Sequence, residues 1–164
     1  ITLVWCWRDF IMINPHSIPS FFGAILVIGL GILVYVKNKS GYPNKIFFLL
    51  TISLFIWLLS ESILYSIKNE QAAIVISKCV YIGVTAIPLI NYFLSLSFLR
   101  LKVSKSLTLY FLSLYLIALF FIFKTDFVLS GINKYFWGYY GRASNFHFVY
   151  LGLKLNILMV YMKI

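Results

Sequence analysis

IPSFFGAILVIGLGILVYV, residues 18–36, is a run of 19 amino acids that contains no charged side chain. As an α-helix it would be about 28 Å long, close to the roughly 30 Å thickness of a bilayer's hydrocarbon core. Further apolar runs follow it along the chain, at residues 46–67, 72–98, 107–123 and 148–162. The pattern predicts an all-α fold: a polytopic transmembrane helix bundle with about five helices.

The composition agrees with a membrane environment. The chain is 62% hydrophobic and only 11% charged, whereas charged residues make up about a quarter of soluble domains. A net charge of +10 could indicate binding to nucleic acid, but the basic residues are divided among short segments between apolar runs. The expected partner is therefore the lipid bilayer of the cell membrane, and nucleic acid is not expected.

Basic residues also predict the orientation of the helices, because cytoplasmic loops of membrane proteins carry an excess of Lys and Arg. The first and third gaps between apolar runs are the most basic per residue. Their positive charges are Lys37, Lys39, Lys45, Arg100, Lys102 and Lys105. The second and fourth gaps are then outside, and so is the N-terminus.

Residues 1–13 precede the first apolar run and are too short and too charged to span, with Arg8 and Asp9 in their middle. We interpret them as a non-native or extracellular leader, and Met12 as a candidate natural start. The two cysteines, Cys6 and Cys79, both fall toward the outer side. A disulfide and two unpaired thiols are the alternatives, and pairing would demand specific geometry.

Glu61 is the one acid inside a predicted span, about 9 Å from its outer end. A carboxylate at that depth costs about 2.5 kcal/mol or more and should face the bundle interior or water. One interpretation is a ligand or proton site. The other is a structural carboxyl group, neutral or hydrogen-bonded to Ser60, Ser62 or a tyrosine.

The long fourth gap contains an aromatic cluster, which we interpret either as an interfacial belt or as a lid over the bundle. With the lid, an outward-facing pocket is predicted. Its ligand-binding residues would be Glu61, Tyr81, Asn91, Trp137, Tyr139 and Tyr140.

Other polar or special residues suggest no chemistry of their own. Pro88 breaks the third predicted helix and would form either a static kink or a pivot. Lys154 in the last run is expected to face the interior or to snorkel rather than to form a Schiff base. His16 and His147 are too few for a metal site. We therefore predict no enzyme activity, no cofactor and no metal.

Several local patterns carry a family resemblance. They are Asn14–Pro15 before the first span, Tyr42–Asn44 before the second, and Trp57 within it. KCVYIGVTAIP at 78–88 resembles a Lys-x-x-Tyr-x-Gly run followed by a helix proline, and WGYYGRASNFH at 137–147 resembles a loop rich in Gly and Tyr that ends in His. The chain resembles the N-terminal seven-transmembrane sensor region of bacterial and archaeal histidine kinases. The same region also precedes some diguanylate cyclases and some regulators with PAS or GAF domains.

The resemblance implies that residues 14–164 form a partial sensor domain with five of seven spans. It would relay an unknown small-molecule or membrane stimulus by conformational change. A cytoplasmic kinase or cyclase domain would follow in a full-length parent, and the resemblance leaves room for a homodimer. The alternative is a fragment of a transporter or another integral membrane protein. The positions with an expected structural role are Trp57, Gly83, Pro88 and Gly138.

Overall fold

The structure is a computed structural model that describes residues 14–101, 105–125 and 129–143. Several predictions lie outside those ranges. They are the leader at 1–13, the fifth span at 148–162 with Lys154, and the residues Cys6 and His147.

Four helices occupy most of the described chain, and they confirm the predicted all-α bundle. A 3-10 turn at Pro15–Ser17 leads into α1, Ile18–Lys37. The others are α2 (Tyr42–Ser66), α3 (Glu70–Phe98) and α4 (Lys105–Lys124). Each contains or nearly contains a predicted apolar run, so run length is a reliable guide to helices here.

The helices begin and end at recognisable signals. α2 begins four residues before its apolar run because Pro43, next to its first residue, has a preset φ that suits the first helical turn. Asn69 caps α3, with its Oδ1 accepting from the backbone N–H groups of Gln71 and Ala72. Between α1 and α2, Oδ1 of Asn38 accepts from the N–H of Gly41 and holds the short turn closed.

Three of the described helical segments are long and apolar enough to cross a membrane: Pro15–Lys37, Tyr42–Ser66 and Glu70–Phe98. The exposed side of α1 carries Phe22, Leu26, Leu30 and Leu33, which recur at helical spacing on one face. Such a stripe would be unfavourable in water and suits contact with lipid chains.

The helices pack in chain order, with α2 between α1 and α3. The helices α2 and α3 approach each other closely at Gly83, which is buried. A Cβ atom there would lie 2.5 Å from the carbonyl oxygen of Ser53 and 2.9 Å from the backbone nitrogen of Trp57. The fourth helix packs more loosely, and one link is the Tyr115 hydroxyl, which donates to the carbonyl oxygen of Ile82 at 3.4 Å.

A β-hairpin follows α4, an element that the sequence did not predict. Its antiparallel strands are β1, Leu129–Tyr135, and β2, Gly138–Ala143. A bulge between Leu129 and Gly131 interrupts the register. The hairpin corrects the sequence interpretation locally, within an all-α bundle. Residues 129–143 of the fourth gap form paired strands, where the sequence indicated only a loop.

The hairpin packs on the ends of α2 and α3 that lie near Ser66 and Glu70, which we call the hairpin end of the bundle. A small core forms there from the buried side chains of Leu64, Ile67, Ala73 and Tyr139. The hairpin therefore closes one end of the α2–α3 pair.

The α2–α3 contact gives a prediction for Gly83. Gly83→Ala should destabilise the bundle by about 1–3 kcal/mol, because backbone atoms of Ser53 and Trp57 cannot yield to the new methyl group. Helical circular dichroism of the protein in detergent, followed through unfolding, would measure the loss.

Gly29→Ala is the matched control, since nothing lies within 4 Å of a Cβ at that position of α1. It should be neutral, or stabilising by up to about 1 kcal/mol, because alanine favours a helix more than glycine does. Equal effects of the two substitutions would contradict a packing role for Gly83.

Candidate functional site

The side chain of Asn14 joins three parts of the hairpin end. Its Nδ2 group donates to the carbonyl oxygen of Tyr65 at 2.9 Å and to that of Trp137 at 2.6 Å. Its Oδ1 accepts from the backbone N–H of His16 at 3.0 Å, which caps the turn before α1. One carboxamide thus connects the start of α1, the last turn of α2 and the hairpin.

Gly138 brings the hairpin directly against α2. Its φ is +131°, a conformation that side chains rarely adopt. A Cβ there would also lie 2.7 Å from Cα and 2.8 Å from the carbonyl oxygen of Tyr65. The positive φ and the close approach to Tyr65 are two independent reasons for a glycine at this position.

Tyr139 and Tyr140 follow Gly138 and lie on opposite faces of β2, because side chains alternate along a strand. Tyr139 is buried against Leu64, Ile67 and Ala73, and its hydroxyl donates to the carbonyl oxygen of Lys68 at 3.0 Å. This bond anchors β2 to the connection between α2 and α3.

Glu61 lies in α2 one turn below Tyr65 and is partly buried. The indole N–H of Trp57, one turn further back, donates a hydrogen bond to the Glu61 carboxylate. The sequence suggested Ser60 or Ser62 as a partner of Glu61. Ser62 instead donates a hydrogen bond to the carbonyl oxygen of Ser17 at 3.1 Å. Trp57, expected only to be structural, is thus the hydrogen-bond partner of the candidate site residue.

Tyr140 extends the site from α2 to α3. It interacts electrostatically with Tyr65 on α2 and with Tyr81 on α3, and Tyr65 also interacts with Glu61. Tyr140 itself is 50% exposed. These interactions run in series from Glu61 through Tyr65 and Tyr140 to Tyr81, and Trp137 and Tyr139 belong to the same hairpin as Tyr140.

Asn91 lies apart from this group. It is exposed on α3, ten residues beyond Tyr81, which corresponds to about 15 Å along the helix. Pro88 lies between them, within a helix that continues to Phe98. The structure does not bring Asn91 to the residues around Glu61.

The tip of the hairpin is an aromatic group. The rings of Tyr135 and Trp137 stack with centroids 4.5 Å apart and an interplanar angle of 3°. Phe136 is 86% exposed. Its ring and that of His16 form an edge-to-face pair with centroids 5.8 Å apart. The tip therefore lies beside the turn that precedes α1.

Three residues of this region were not singled out as site residues from the sequence: Asn14, Tyr65 and Ser77. The Asn-Pro pair before the first span was a usable signal for Asn14, since asparagine followed by proline commonly begins a turn. Tyr65 repeats the helical spacing of Trp57 and Glu61 on one face of α2. Ser77 is 2% exposed beside Gly141, and no spacing in the sequence points to that contact.

Metal binding finds no support in the part of the chain that the structure describes. Within residues 14–101, 105–125 and 129–143, no group of three His, Cys, Asp or Glu side chains could hold an ion. Cys79 is partly buried and is a free thiol among those residues.

Comparison with known proteins gives one result. A family model described as the N-terminal 7TM region of histidine kinase matches residues 19–164. Searches among curated proteins and among solved structures found no match.

The contacts of Asn14 predict that it controls the stability of the hairpin. Asn14→Asp keeps the oxygen that caps His16 but replaces the donor to Tyr65 and Trp137 with a second oxygen. Two carbonyls would lose their donor, and opening of the hairpin should become easier by about 1–3 kcal/mol. Hydrogen exchange of residues 129–143, measured by mass spectrometry, would report it.

Asn38→Asp is the control. In the hydrogen bonds recorded for it, the side chain of Asn38 accepts through its oxygen, which aspartate keeps. Exchange of the hairpin should not change in that variant. If Asn14→Asp also left it unchanged, the carboxamide would not be what holds the hairpin.

Proposed function

The chain belongs to the family of N-terminal 7TM regions of histidine kinases, and we propose that it receives a stimulus at the hairpin end of its helix bundle. The region is a multi-pass membrane segment, as its apolar helices and its family indicate. In a histidine kinase it forms a non-catalytic part that precedes the enzyme's output. We propose that a kinase or cyclase domain on the cytoplasmic side receives the signal.

The observation that carries the proposal is the seating of the hairpin across α2 and α3. Asn14 and Gly138 fix it to the last turn of α2. Tyr139 fixes it to the α2–α3 connection. A ligand or a change in the membrane that moves the hairpin would therefore act on both helices at once.

The proposed relay uses the α2–α3 contact. Because Gly83 lets the two backbones touch, a displacement at the hairpin end would be transmitted along the pair rather than absorbed by soft side chains. Shifts of about 1–2 Å between packed helices are a common form of switching. The stimulus must bind or favour one arrangement over the other, since a ligand with equal affinity for both shifts nothing.

Glu61 is the proposed point at which the stimulus acts. It is a carboxylate inside a membrane-spanning helix, held by Trp57 and close to the hairpin through Tyr65. Charged groups at such depth are costly and commonly mark functional sites. The family match favours this signalling function over the transporter alternative, for which the described residues give no separate support.

Glu61→Gln should change the basal output of a histidine kinase that carries this region. Removing the ionisable carboxyl group alters the balance between the two arrangements, and a coupling of about 1–3 kcal/mol corresponds to roughly 5- to 150-fold. Autophosphorylation of the kinase in proteoliposomes, corrected for protein amount, is the measurement. Trp137→Ala, which removes the ring stacked on Tyr135, should also change the output.

Glu70→Gln is the matched control. Glu70 is an exposed acid in the first turn of α3, at the same end of the bundle but outside the group around Glu61. Autophosphorylation should stay near that of the unmodified kinase. The proposal fails if Glu61→Gln and Trp137→Ala behave like Glu70→Gln.

The proposed orientation, with the hairpin outside the cell, can be tested by labelling. In a chain with Cys6 and Cys79 replaced by alanine, a membrane-impermeant maleimide added to intact cells should react with Ser130→Cys. Ser130 is exposed on the hairpin. Ser40→Cys, exposed in the turn between α1 and α2, should react only after the cells are permeabilised. The opposite pattern would reverse the orientation.

A further inference from the structure

The turn of the hairpin presents a group of exposed aromatic rings. Phe136 is 86% exposed and Tyr135 beside it is 41% exposed. The ring of Phe136 forms an edge-to-face pair with that of Trp137, with centroids 4.6 Å apart, and Trp137 stacks on Tyr135. The three rings hold one another in a fixed arrangement, which we call the aromatic tip. Its exposed surface is available to a partner.

The aromatic tip lies level with the beginning of α1. The rings of Phe136 and His16 are 5.8 Å apart between centroids, and His16 lies two residues before Ile18, where α1 begins. The helical segment that is long and apolar enough to cross a membrane begins at Pro15. The tip is therefore at the depth at which the chain passes between water and the bilayer.

The exposed apolar surface of α1 begins beside this contact. Ile18, Phe21 and Phe22 follow His16 in the chain, and all three are exposed. They lead into the apolar stripe of α1 that suits contact with lipid chains. The surface of the bundle that faces lipid thus extends up to the turn against which the aromatic tip lies.

The charge of the hairpin also fits a lipid surface. Residues 129–143 contain Lys134 and Arg142 and no acidic side chain, and both basic side chains are exposed. Trp and Tyr rings concentrate at the boundary between bilayer and water, because they have an apolar body and a polar group. Basic residues beside such rings favour the phosphate groups of lipids. Rings and charge together therefore match the headgroup layer.

We propose that the aromatic tip inserts into the interface of the bilayer leaflet on the hairpin side, with Phe136 in contact with lipid. The stacked pair of Tyr135 and Trp137 supports that ring. The carbonyl of Trp137 shares the Asn14 donor with the carbonyl of Tyr65 on α2, so a displacement of the tip would reach α2. The inference rests on the proposed function, since it names the lipid interface as the partner that would move the hairpin.

A spin label measures the depth of the tip. In a chain with Cys6 and Cys79 replaced by alanine, Phe136→Cys would carry a nitroxide in vesicles of phosphatidylcholine and phosphatidylglycerol. Electron paramagnetic resonance would measure its collisions with oxygen, which concentrates in lipid, and with a nickel complex that stays in water. The ratio of the two collision rates rises with depth in the bilayer.

Two exposed positions calibrate the ratio. Leu26→Cys marks the hydrocarbon region, because Leu26 is exposed on α1 about 12 Å along the helix from Ile18. Gln71→Cys marks water, because Gln71 is an exposed polar residue in the first turn of α3, at the same end of the bundle as the hairpin.

The ratio at Phe136 should lie between those of Gln71 and Leu26, at a depth of roughly 5–10 Å in the interfacial region. A ratio equal to that at Gln71 would place the tip in water and overturn the inference. Low rates of both collisions would also overturn it, since they would show that protein, such as a second copy of the chain, covers the ring.

A second measurement keeps the tip free of a label. Lipids brominated on their acyl chains quench tryptophan, and the share due to Trp137 is the difference from the matched Trp137→Phe chain, which keeps a ring beside Tyr135. Phe136→Ser should reduce this share about twofold or more, whereas Phe136→Leu should retain it, because leucine also favours lipid. Phe136 is mostly exposed, so neither substitution opens a core. Equal quenching in the two variants would show that Phe136 does not anchor the tip.

The outcome is separable from that of the proposed function. If Glu61→Gln and Trp137→Ala alter autophosphorylation while the label at Phe136 is in water, the sensor function stands and the lipid contact does not. If the label is in the interface but neither substitution affects the kinase, the contact exists and the proposed function fails.

Discussion

The hairpin end of this bundle depends on two backbone carbonyls that would otherwise lack donors. The carbonyl of Tyr65 lies in the last turn of α2, where the helix no longer supplies N–H partners, and that of Trp137 lies in the turn of the hairpin. Both accept from the one amide group of Asn14. Leaving a buried carbonyl without a donor costs about 1–3 kcal/mol, so this shared donor helps to fix where the hairpin sits. The position of Tyr139 and Tyr140 over α2 and α3 follows from it.

That anchoring places a polar site beside a rigid pair of helices. Glu61 is held from below by Trp57 and bordered from above by Tyr65, whose backbone the hairpin contacts at Gly138. Trp57 and Ser53, one and two turns further down α2, are also where α3 approaches closely at Gly83. A change at the carboxylate and a change in the packing of α2 on α3 therefore involve neighbouring atoms. The proposed relay depends on this proximity.

The sequence predicted the helices well because a bilayer imposes one simple requirement, an apolar run of sufficient length. It also singled out Glu61, since a carboxylate is conspicuous inside such a run. The hairpin was missed because residues 129–143 contain three glycines and no clean alternation of polar and apolar side chains. Asn91 was grouped with the site on polarity alone, although it lies a further ten residues along α3. Asn14 and Tyr65 act through backbone carbonyls and long-range contacts, which leave no pattern in a single sequence.

The alternation of Tyr139 and Tyr140 limits how this segment can change in length. One tyrosine fills the core beside Leu64 and the other approaches Tyr81, so the two rings have different neighbours only because they occupy consecutive strand positions. Insertion of one codon between Gly138 and Tyr139 would put each tyrosine on the opposite face of the strand and bury the wrong ring. Insertions and deletions here would have to occur in pairs or be compensated by another bulge like the one beside Gly131. The turn between α1 and α2 is not a strand, so an added residue there would not move side chains from one face to the other. Insertions should be tolerated better in that turn.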